Sequence, residues 1–179
     1  MHKFQIPMMG FRRPVIKLYG ENALIDTGAI VPVISVPVEL MKLAWSATLI
    51  KEGVEIGGIG GQSQGDIYAL KNFCVGDLVF DKIEVFVPHI PDTQFKYLLS
   101  ATMFHNTKYS FDVQNTDNQI FTVQVPENEP LHRVFEVKDL EGKLYIQVNG
   151  ELLKDEFAKI VNLDNYTQTD ISSLDVESR

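Results

Sequence analysis

Punctuation constrains this chain more than any other feature. From Val15 to Val125 it runs in short β-branched and apolar stretches, each closed by Gly, Pro, Asn or Asp. Val15-Ile16-Lys17-Leu18-Tyr19 reads as a strand ending at a turn over Gly20-Glu21-Asn22, and Ala23-Leu24-Ile25 restarts the extended chain. Pro32 and Pro37 bar a helix through Val31–Val36. Further strands are predicted over Ala47–Ile56, Asp66–Phe73 and Leu78–Val87, and a β-hairpin over Tyr109–Val113 and Gln119–Val123. Two short segments compete as helices. Pro37 suits a first helical turn, with Val38, Met41 and Trp45 on one side, and Tyr97–Asn106 is the second candidate. The pattern is all-β with one or two short helices.

Apolar residues at 45% and charged residues at 22% suffice for a packed core. No apolar run approaches the roughly 20 residues that span a bilayer, and Met1–Gly10 lacks the apolar block of a secretory leader. Cys74 is the single cysteine, which rules out an intrachain disulfide and favours a cytoplasmic location. The net charge of −8 argues against nucleic-acid and anionic-membrane partners. That charge is uneven: residues 1–125 carry 12 acidic and 10 basic side chains, whereas 126–179 carry 12 and 6. The step falls at Pro126-Glu127-Asn128-Glu129-Pro130. We therefore divide the chain into a main domain (1–125), a C-terminal extension (126–162) and an acidic tail (163–179) expected to be disordered. In the extension Val134–Val137 and Lys143–Val148 read as strands. Asn149-Gly150 signals a tight hairpin before Glu151, and Glu151–Ile160 reads equally as strand or helix.

The stretch that points to chemistry is Ala23-Leu24-Ile25-Asp26-Thr27-Gly28-Ala29. An apolar strand delivers an aspartate to its end, followed by a small hydroxyl residue able to tie the loop down. Gly28 then permits a sharp turn and close approach of another backbone. An Asp-Thr-Gly tripeptide alone is ordinary turn chemistry. It is accompanied, however, by Glu55-Ile56-Gly57-Gly58-Ile59-Gly60-Gly61-Gln62, a glycine-rich hairpin tip carrying the lone apolar residue Ile59, and by Tyr97-Leu98-Leu99-Ser100-Ala101, which reads as an apolar strand running into the second helix candidate.

These three elements, in this order, resemble the retropepsins, the dimeric aspartic proteases of retroviral type and their cellular and bacterial relatives. The resemblance spans about Pro14–Val125. It implies a closed acid-protease β-barrel, with the small β-rich extension appended. It also implies an aspartic endopeptidase in which Asp26 is catalytic and Thr27 and Gly28 shape its loop. Ala29, Ile30 and Val33 would line apolar subsites, and Gly57, Gly58 and Ile59 would form a flap over a polypeptide substrate. Two positions depart from the family pattern. Ser100 stands where glycine usually follows the apolar pair, and Ile30 and Val31 stand where viral members carry acidic residues that grip substrate backbone.

Hydrolysis by this route needs two carboxylates sharing a proton and a water. The chain holds one Asp-Thr/Ser-Gly, and Asp66, Asp77, Asp81, Asp92 and Asp112 do not repeat it. A homodimer with Asp26 of each copy at its two-fold axis is therefore expected. The alternative is a non-catalytic dimerisation or peptide-binding module of the same fold.

Other motifs weigh less. Gly61-Gln62-Ser63-Gln64-Gly65 matches a nucleophile elbow, with His89, His105 and His132 downstream, but strand-like residues follow Ser63 where a helix is required. The glycines lack a dinucleotide fingerprint, and the histidines lack metal-ligand spacing, so neither cofactor nor metal is expected. Cys74 is expected to be a buried small hydrophobe and Trp45 a packing residue.

Overall fold

The computed structural model describes residues 2–9, 14–26, 29, 31–58, 61–92, 94–104, 108–112, 119–125, 132–140, 143–148 and 151–153. In chain order these form β1 (His2–Pro7), β2 (Val15–Leu18), β3 (Glu21–Asp26), β4 (Val33–Ile34), α1 (Val38–Trp45), β5 (Thr48–Gly58), β6 (Gly61–Val75) and β7 (Leu78–Pro88). Then come β8 (Tyr97–Ser100), a 3-10 turn (Ala101–Phe104), β9 (Lys108–Asp112), β10 (Ile120–Val125), β11 (His132–Leu140), β12 (Lys143–Val148) and β13 (Glu151–Leu153). The all-β expectation holds.

The β2–β3 hairpin shows how locally the chain is specified. Leu18 pairs with Glu21, leaving Tyr19 and Gly20 as a two-residue turn, both at positive φ (50° and 78°). That is the backbone hand that matches strand twist. Glu21 and Asn22 belong to β3, so the turn lies slightly earlier than expected. A tyrosine tolerates the left-handed region here because its ring packs on Trp45, Phe73 and Tyr97, with centroids 4.9, 5.6 and 6.0 Å away. Its hydroxyl also accepts the Cys74 N–H at 2.7 Å.

Within that cluster Tyr97 is 3% exposed. Burial, reinforced by Tyr19 and Glu21, pushes its phenol up to about 12. An unfolded tyrosine ionises near about pH 10, so above that pH the folded chain keeps a proton that the unfolded chain has released. Stability should therefore fall as pH climbs from about 10 to about 12, by roughly 2–3 kcal/mol in denaturant melts. Ultraviolet titration of wild type against Tyr97→Phe checks the assignment. Identical curves above about pH 11 would refute it.

Helix α1 follows Pro37 and ends where Ser46 turns left-handed, with Met41 and Trp45 buried. The second helix candidate is shortened, and its opening residues form the expected apolar strand. Tyr97–Ser100 is a strand, and only Ala101–Phe104 winds, as a single 3-10 turn; 105–107 lie outside the described residues. Pairing on both edges of β8 overrides the local helical spacing.

Two sheets result. β1, β10 and β9 form an antiparallel three-stranded sheet, although β1 has no counterpart in the sequence expectations. The other ten strands follow the path β13-β12-β11-β7-β4-β8-β3-β2, with β6 on β7 and β5 on β6. This path is open, so the expected closed barrel is not formed among the described residues. The second edge of β7 is shared: β4 pairs at Phe86 and β11 pairs in parallel from Val79 to Ile83. The sheet consequently runs outward into the extension. Phe104 joins the two sheets, its ring 6.4 Å from Phe80 and 5.3 Å from Phe121. In the extension Val148 pairs with Glu151, as a two-residue hairpin at Asn149-Gly150 requires. Residues 154–179, including the expected tail and the remainder of the alternative helix, lie outside the described residues.

Candidate active site

Asp26 is placed by strand chemistry. Ala23, Leu24 and Ile25 are buried, and β3 is held on one side by β2 and on the other by β8, in parallel. In that register Asp26, partly exposed at the strand end, stands beside Ser100. The Ala29 N–H donates to the Asp26 carbonyl oxygen at 3.0 Å, so the chain doubles back at once. It returns as β4, with Val33 beside Leu98 on the far side of β8. β8 is thus threaded between the two arms that lead to and from the aspartate. The return arm is fixed by Phe86 N–H donating to Pro32 O (2.9 Å) and by Ser35 N–H donating to Lys96 O (2.8 Å).

Ser100 departs from the expected glycine, and its surroundings show how the departure is absorbed. It is fully buried, and its hydroxyl lies 2.8 Å from that of Thr102, which is itself 1% exposed. A buried hydroxyl with a partner avoids most of the desolvation penalty. Val31 is buried; Val33 and Ala29 are half-buried. Thr27, Gly28, Ile30 and Ile59, all singled out by sequence, lie outside the described residues.

The glycine-rich segment forms the expected hairpin. β5 and β6 pair from Thr48↔Ala69 out to Gly58↔Gly61, and Ile59 and Gly60 connect them. β6 leaves β7 after the pair Gly65↔Pro88, so beyond that point the hairpin is a two-stranded ribbon. Gly65 is required by contact: a Cβ there would lie 2.3 Å from Val87 O and 2.6 Å from Phe86 Cζ.

The residues of the other motifs fall elsewhere in the fold. Ser63 sits exposed within β6, which continues as strand to Val75, so the strand–turn–helix of a nucleophile elbow is absent. His89 meets Asp66, and His105 is outside the described residues. Cys74 is half-buried rather than buried, while Trp45 is core. Among the described residues no group of His, Cys, Asp or Glu gathers in a way that would hold a metal ion, and no helix is long and apolar enough to cross a membrane. Sequence reasoning missed Thr102 and the Asp66–His89 contact, because neither pairing has a spacing signature.

No protein-family model, curated protein or solved structure matches the chain.

Proposed function

We propose that the chain is one subunit of a homodimeric aspartic endopeptidase of retropepsin type. The observation that carries this reading is the placement of Asp26. It stands at the end of a buried strand, beside Ser100, on a loop that returns on the other side of β8. A protruding glycine-tipped hairpin in the same sheet supports it. Such a strand end fixes the backbone of Asp26 and leaves the residue partly exposed, as the meeting of two copies requires.

The chemistry follows from that pairing. Two Asp26 carboxylates, one per subunit, share one proton because like charges held close do not both ionise cheaply. A water between them attacks the peptide carbonyl carbon. The ionised carboxylate takes the water's proton while the protonated one gives its own to the carbonyl oxygen, forming a tetrahedral diol. The C–N bond then breaks as the now protonated carboxyl gives its proton to the leaving nitrogen and the ionised one takes a proton from a diol hydroxyl, regenerating the shared-proton pair and releasing acid and amine. Thr27 and Gly28 hold the loop. Ala29, Ile30 and Val33 contact apolar substrate side chains, and Gly57, Gly58 and Ile59 close over an extended polypeptide and exclude water.

The test is hydrolysis of an unstructured protein such as casein from about pH 4 to about pH 7, where a shared-proton carboxylate pair operates. Wild type should cleave, and its activity per chain should fall in proportion to concentration once dimers dissociate. Absence of cleavage by a chain shown to be dimeric would overturn the proposal in favour of a peptide-binding module. Activity per chain independent of dilution down to demonstrated monomer would equally exclude a shared site.

A further inference from the structure

We propose that Asp66 is the hinge pin of the β5–β6 hairpin, a positioning residue that sets how tightly the hairpin closes on a polypeptide; this rests on reading the hairpin as a flap. Three features converge on it. The pair Asp66↔Val87 lies next to Gly65↔Pro88, the outermost contact between β6 and β7. Asp66 thus marks the line where a three-stranded sheet becomes a free ribbon, and two-stranded ribbons are marginal alone.

The ladder between β5 and β6 is also broken there. Lys51 pairs with Ile67 and Val54 with Gly65, so Glu52 and Gly53 together face Asp66. Gly53 takes φ +67°, and its N–H donates to Asp66 Oδ1 at 3.1 Å. The same oxygen lies 3.1 Å from Nε2 of His89, whose backbone N–H donates to Gln64 O at 2.8 Å. One carboxylate oxygen therefore ties the bulge of β5 to the residue that follows β7, across β6. Towards the tip the ribbon has a further cross-strand contact, Gln64 Nε2 donating to Glu55 Oε1 at 3.3 Å, but that contact moves with the ribbon. The Asp66 contacts thus join the ribbon to the sheet through a side chain at this line.

The experiment compares wild type, Asp66→Ala and Asp66→Asn as full chains, by residue-resolved hydrogen exchange and by peptide-cleavage kinetics. Asparagine keeps an acceptor oxygen, and alanine does not. Asp66→Ala should speed exchange at Gly53 and along Val54–Gly58 by about tenfold or more, while the amides of Ile83 and Val85 exchange as in wild type. KM should rise about five- to tenfold with kcat changed less, and Asp66→Asn should recover most of both effects. Wild-type exchange at Gly53 in Asp66→Ala would overturn the pin. So would equal acceleration at Ile83 and Val85, or a fall in kcat with KM unchanged. If wild type cleaves nothing, the endopeptidase reading fails separately, and the exchange result still decides whether Asp66 holds the hairpin.

Discussion

Asparagine in place of Asp26 is expected, on the proposed shared-site mechanism, to abolish peptide hydrolysis while leaving the fold and the proposed dimer intact. The substitution is nearly isosteric at a partly exposed strand end, so the pairing of β3 with β2 and β8 is untouched. What disappears is the proton-accepting carboxylate, and a dimer of such chains has no group to activate water. Loss of an acid–base group of this kind lowers rates by about 10³-fold or more. A mixing experiment sharpens the prediction. With nine parts Asp26→Asn to one part wild type at exchange equilibrium, only about a tenth of wild-type chains find a wild-type partner, and activity per wild-type chain should fall accordingly. Undiminished activity in the mixture would show that each chain works alone, and the shared-site mechanism would be wrong.

Alanine in place of Gly65 is expected to be the most damaging single methyl group in the described core. Its Cβ would lie 2.3 Å from Val87 O and 2.8 Å from Pro88 Cα, both backbone atoms that no rotamer change can move. β6 and β7 must part at the root of the hairpin. Overpacking of this kind costs about 2–3 kcal/mol. For a chain of this size that lowers the melting temperature by roughly 5–10 °C. Trp45, the only tryptophan and 5% exposed, provides the fluorescence signal for the melt. A melting temperature within about a degree of wild type would mean that the strands separate there at almost no cost. Gly65 would then not be a fixed point of the fold.

What the sequence disclosed follows from which interactions are local. The β2–β3 and β5–β6 hairpins, α1 and the delivery of Asp26 by an apolar strand are written within a few residues of where they occur. Their turn residues and apolar spacing are therefore legible. The larger differences involve partners distant in the chain. Tyr97–Ser100 reads both as an apolar strand and as the start of a helix until β3 and β4 flank it. β1, His-Lys-Phe-Gln-Ile-Pro, carries a weak alternation that means little without β10 beside it. The closed barrel came with the family resemblance, which carries no information about a strand outside the family's span. β11, taking part of the edge of β7, is such a strand. At the site, the aspartate was legible from its motif. The Ser100–Thr102 and Asp66–His89 contacts were not, since each depends on how a loop or bulge orients a side chain.

The pairing of β1 with β10 also has a temporal meaning. His2 lies opposite Val125, so the first of the described strands to be synthesised pairs along its length with β10, one of the later ones. At about 5–20 residues per second, the nascent strand waits on the order of ten seconds for that partner. β3 waits in the same way for β8, so the strand bearing Asp26 lacks its parallel neighbour until Tyr97–Ser100 have been translated. Closure of such distant pairs makes folding slow relative to helical proteins of similar stability. By contrast, the β2–β3 pairing and the β5–β6–β7 meander join consecutive strands, so the hairpin over the proposed site needs no late partner for its own ladder.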